Sequence, residues 1–136
     1  MAEINRRQNC TAFLTHKRTI ENYVHTDAVL RLSQNRIVIG ANVDLDYGDV
    51  ASAFGVALGA AKAAHGGNLG FAPDDHSGNP LPLGTGPSKS KKIITAYVMR
   101  HMTADEILAR GAYIDPNTGE QRNEVMEWLA AIRAHL

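Results

Sequence analysis

The octapeptide Lys17-Arg18-Thr19-Ile20-Glu21-Asn22-Tyr23-Val24 sets one carboxylate beside two cations, a hydroxyl and an amide. A carboxylate in that company can hold a divalent metal near a phosphate, since hard cations take oxygen ligands and phosphate takes basic ones. The plainer reading of the same residues is a solvated turn between a strand and a helix. Ser88-Lys89-Ser90-Lys91, followed by Lys92, reads either as a phosphate-binding patch or as solvated loop. Asp44, Asp46 and Asp49 form an acidic loop ending in a helix cap. Six histidines show no HExxH or HxH spacing, which argues against a zinc hydrolase; only His76, beside Asp74 and Asp75, has suggestive neighbours. Cys10 reads as a small core residue rather than a nucleophile.

These groups need elements to position them. Residues 10–15, Cys-Thr-Ala-Phe-Leu-Thr, are apolar and rich in strand formers, so they predict a buried strand feeding the turn at Glu21. In α/β sheets ligands gather where strands end. Thr26-Asp27 predicts the start of a helix over 26–33, and residues 36–40 a second short strand or extended connection. Asp49 caps a helix from 50 to about 64, closed by Gly66-Gly67, whose alanines and glycines permit close approach of another backbone. Residues 66–89 predict a long loop, and 91 to about 101 a helix with Ile93, Ile94, Tyr97 and Val98 on one side. Thr103-Ala-Asp-Glu106 fits a capping box, and residues 115–119 a turn. The stretch 124–136 is amphipathic, with Val125, Trp128, Leu129 and Ile132 at helical spacing. The fold class is therefore α/β: a small, mostly parallel sheet with flanking helices and a C-terminal helical lobe. Residues 1–100 make the α/β portion and 101–136 the helical extension.

With 136 residues, 44% apolar and 21% charged, the chain can bury a core of its own. No apolar run is long enough to span a membrane, and the opening MAEINRRQNC has no signal-peptide core, so a cytoplasmic chain without a membrane partner is expected. One cysteine excludes an internal disulfide and a thiolate zinc cage. Fourteen basic residues balance fourteen acidic ones, but unevenly: residues 37–86 carry one basic group and five acidic, residues 87–103 four basic and none acidic. An acidic middle and a basic knot can serve a cationic metal and an anionic substrate in separate places. Ordinary surface variation would leave the same pattern.

Basic residues followed by Ile-Glu-Asn-Tyr and an aliphatic residue resemble the TOPRIM nuclease portion of the OLD (overcoming-lysogenization-defect) ATPases of phage defence. The order of the later segments is similar too: helix 26–33, the acidic stretch 44–49, a further helix, the lysine-led helix 91–98, and a tail containing His101-Met-Thr-Ala-Asp-Glu-Ile-Leu and Glu127-Trp128-Leu129. The resemblance implies a metal-dependent DNA endonuclease using Mg²⁺ or Mn²⁺, gated by an ATPase domain or subunit, with a homo-oligomer also permitted. It implies Glu21 as a metal-binding carboxylate, Thr19 as a supporting hydroxyl, and Lys91, with Lys92 adjacent, as the lysine facing the scissile phosphate. Lys17, Arg18, Lys89 and Lys92 would contact nucleic acid.

Two features depart from that pattern. Such nucleases present an earlier glutamate and an Asp-x-Asp pair, and only nine residues precede Cys10; there is also no GxxxxGK[ST]. The resemblance thus implies the C-terminal part of a longer protein, or a remnant, incomplete by itself. In an alternative register Glu21 is the first glutamate, and Asp44 and Asp46, after the apolar residues 37–39, are the metal pair. The remaining reading, from a different class, is a non-catalytic module that binds nucleic acid or a subunit.

Overall fold

Two helices, one built of small residues and one that changes its winding partway, carry half of the buried core cluster. The structure is a computed structural model and describes residues 15–66 and 68–134. The chain makes a 3₁₀ turn at Ile20–Tyr23, then α1 (Thr26–Leu32) and α2 (Val50–His65). Next comes α3 (Pro87–Ile93), which runs on without a break through a π-helical stretch, Ile94–Val98, and a 3₁₀ turn, Met99–His101. The tail is α4 (Ala104–Gly111), β1 (Ala112–Ile114), β2 (Gln121–Asn123) and α5 (Glu124–Ala134).

Local chemistry explains most boundaries. Asp49 caps α2, its carboxylate accepting from Ser52 N (3.0 Å) and Ser52 Oγ (2.8 Å). Thr103 and Glu106 form the expected capping box: Glu106 N donates to Thr103 Oγ1 (3.2 Å) and Thr103 N to Glu106 Oε1 (2.8 Å). Helix α1 is capped one residue earlier than expected. His25 Nδ1 accepts from Asp27 N at 3.0 Å, an imidazole standing in for the usual hydroxyl or carboxylate. Gly66, at φ +57°, ends α2 in a conformation that favours glycine.

Val50, Phe54, Ala57, Leu58 and Ala61 line the inner face of α2 and meet Val24, Val29, Ile37, Ile93, Ile94 and Val98. Fully burying each large aliphatic or aromatic member stabilises by roughly 1.5–3 kcal/mol relative to exposure. Gly55 permits the close approach: a Cβ there would fall 2.1 Å from the Thr85 carbonyl oxygen. The expected long loop is anchored, because Leu69, Phe71 and Leu81 are buried and Arg100 Nη2 holds Asp74 at 2.6 Å. It is also shorter than predicted, since Pro87 occupies the first turn of α3.

The sheet differs from expectation. Among the described residues there is one two-stranded antiparallel ribbon, Ala112 opposite Asn123 and Ile114 opposite Gln121, and no parallel pair. The protein is mixed α and β, and the α/β reading stands at that level. Residues 37–39 alternate buried, exposed, buried without joining a strand; Ile37 N donates to Ser33 Oγ (3.0 Å) instead. Residues 10–14 of the predicted opening strand lie outside the described residues, and Thr15 is not in a strand. The C-terminal lobe holds a hairpin between its helices. On α5, Val125 and Trp128 are half-buried, Trp128 lying edge-on to Tyr23 with ring centroids 5.5 Å apart, whereas Leu129 and Ile132 are exposed, so the apolar spacing is only partly covered.

Candidate functional site

Asn22 fixes the turn that carries Glu21. Its Nδ2 donates to the carbonyls of Leu45 (2.9 Å) and Gly48 (3.0 Å), and its Oδ1 accepts from both the backbone N–H and the hydroxyl of Thr19. Every hydrogen-bonding position of the amide is filled, and the residue is wholly buried. The Thr19 hydroxyl is thereby committed to shaping the turn.

Glu21 lies next to this strut and is itself buried, its side chain 8% exposed. Its Oε1 is 3.9 Å from Lys91 Nζ, a charge contact too long for a hydrogen bond. Its Oε2 is buried with no hydrogen-bond partner among the described residues. Lys91 remains more than half exposed at the solvent side of the pair. Beside it Ser90 Oγ is also buried without a partner among the described residues.

Asp46 is the hub of a different network. Lys17 Nζ sits 3.0 Å and Arg110 Nη2 2.8 Å from its Oδ1. Burial pushes the Asp46 carboxyl up, but the hydrogen bonds from the two cations outweigh that and hold it below the usual range. Arg110 Nη2 also donates to the Asn22 carbonyl at 2.8 Å. Lys17 is buried and lies over the Tyr23 ring, 5.3 Å from its centroid, so this expected nucleic-acid contact is an internal cation. Asp44 is a turn former whose Oδ1 accepts from Asp46 N (3.1 Å) and Tyr47 N (3.0 Å).

The structure therefore brings Glu21 and Lys91 together and keeps Asp44 and Asp46 in separate bonding. A hard divalent cation takes about six oxygens. Among the described residues no group of three or more His, Cys, Asp or Glu could hold a metal ion. The described residues alone do not fit a resident Mg²⁺ or Mn²⁺: Glu21 has a free oxygen to offer, and its expected co-ligands are engaged elsewhere. Arg18, Lys89 and Lys92 are exposed cations. Lys89 and Lys92, three residues apart, share one side of α3, while Lys91 turns to Glu21.

Two participants were not visible in the sequence. Arg110, in the last turn of α4, has its partners far away in the chain. Glu124, at the first turn of α5, is 1% exposed, accepts from His16 N (3.1 Å) through Oε2, and has Oε1 without a partner among the described residues. Burial, then the Glu124 carboxylate, pushes the Tyr23 phenol upward. No nearby sequence signal marks either residue.

Comparison with protein-family models, with curated proteins and with solved structures finds no match.

Proposed function

We propose that this chain is the C-terminal part of an OLD-type TOPRIM DNA endonuclease, incomplete by itself, that contributes Glu21 and Lys91 to a phosphodiester-cleaving centre. One observation carries the reading: a buried carboxylate keeps an unfilled oxygen and lies 3.9 Å from an exposed ammonium. A buried unsatisfied carboxylate oxygen is costly and calls for a partner, often a bound ion or water. Lys91 supplies a positive point charge to a phosphate approaching from solvent. Further acids, from a partner or from outside the described residues, must join Glu21 before Mg²⁺ or Mn²⁺ is held, and the metal's chemistry belongs to that completed assembly. An ATPase domain or subunit gates it.

A non-catalytic nucleic-acid or subunit-binding module is the second reading. Its support is Asp46, which two cations already neutralise.

Incubation with plasmid and Mg²⁺ or Mn²⁺ tests both. The chain alone should bind DNA with an affinity that falls steeply as salt rises, and should not cut it. Joined to an ATPase partner bearing the missing acids, it should cut, and Glu21→Gln should lower the rate at least about 100-fold. Cutting by Glu21→Gln at the unmutated rate would sink the nuclease reading. Absence of salt-sensitive DNA binding would sink the nuclease reading and the nucleic-acid form of the module.

A further inference from the structure

Beside the Glu21–Lys91 pair, Leu81, Pro82, Lys89 and Lys92 line a cavity of about 210 Å³. Its lining is mostly apolar, and two exposed lysines contribute to it. Lys89 is packed into place, because a Cβ on Gly84 would lie 2.2 Å from Lys89 Cδ; the bare glycine lets the lysine stem lie flat. Neither Lys89 nor Lys92 has an ion-pair partner among the described residues, and residues 87–103 contain no acid. The volume is below the roughly 300–1,000 Å³ of pockets that hold drug-sized molecules, which suits a single ring.

We infer that this cavity seats one unstacked nucleobase of a single-stranded segment, with the adjoining phosphate held by Lys89 and Lys92. The inference rests on the DNA reading and narrows it to a frayed, flipped or single-stranded substrate. Charge complementarity selects the occupant: two exposed lysines that line an apolar slot, with no ion-pair partner among the described residues, fit an anionic group attached to an apolar-faced ring. A continuous duplex keeps its bases stacked and could offer the slot nothing. Because Lys89 and Lys92 lie on one side of α3 and Lys91 on another, the base pocket and the Glu21–Lys91 pair are distinct contacts on the same helix.

The test compares a single-stranded octathymidylate with an abasic octamer of equal charge, titrated into the full chain while the Leu81 methyl resonances are followed. The thymidylate should shift those resonances and bind at least about fivefold more tightly, as expected for one base face covered by aliphatic side chains. Lys92→Gln should weaken binding of both octamers, since each keeps its phosphates, and leave the thymidylate preference in place. Equal affinity for the two octamers, or unmoved Leu81 methyls, would overturn the pocket. Duplex binding across a salt series, run on the same samples, reports on the DNA reading separately, so loss of the base preference alone removes only this inference.

Discussion

With both amide hydrogens on the carbonyls of Leu45 and Gly48 and its oxygen on Thr19, Asn22 stitches the Glu21 turn to the segment before α2. Asn22→Ala leaves several buried backbone groups unpaired and should cost about 2–4 kcal/mol. A lower urea midpoint at unchanged slope would check it. Glu21→Gln should behave oppositely, holding or raising the midpoint, since it removes a buried charge whose Oε2 makes no hydrogen bond among the described residues. In sequence, Glu21 and Asn22 look equally chemical. Residue type and adjacency exposed the cluster, but only three-dimensional partners separate the strut from the free acid. The same limit hid the burial of Lys17.

At the scale of elements, signals confined to a few residues were legible. The Asp49 cap, the Thr103–Glu106 box and the 115–119 turn depend on hydrogen bonds within four or five residues. The hairpin was not legible, because Gln121-Arg122-Asn123 is polar throughout and its strands are three residues long. Winding was hidden as well: the π-helical stretch, with Met99 N bonded to Ile94 O, leaves the apolar pattern of α3 intact. The small residues of α2 did announce a close contact, and Gly55 is where it occurs. Gly55→Ala pushes a methyl into the Thr85 carbonyl and should destabilise by about 1–3 kcal/mol, read from thermal melting. Gly59→Ala, whose nearest neighbour is Thr85 Cγ2 at 3.6 Å, should be neutral or stabilising and serves as the control.

For the whole molecule, the decisive ties join residues distant in sequence, and no local reading could have found them. Arg31 grips Glu106 through two hydrogen bonds, 2.7 and 2.9 Å, pinning α1 to α4. The Arg31 guanidinium brings the Glu106 carboxyl down to about 2, against an ordinary value near 4.5. A depressed carboxyl stabilises fully above its ordinary value, and that stability is lost as pH falls from about 5 to about 2. Melting temperature should therefore drop through that window. Glu106→Gln should lower stability at pH 7 by about 1–2 kcal/mol and flatten the acid slope, as a melting series from pH 7 to pH 2.5 would reveal.

Arg110 links these scales. From the end of α4 it clasps Asp46 and the Asn22 carbonyl with a single nitrogen, one peptide away from Glu21. The tail is thus riveted to the peptide beside the acid, so Arg110→Ala should loosen the turn that carries Glu21 as well as the end of α4.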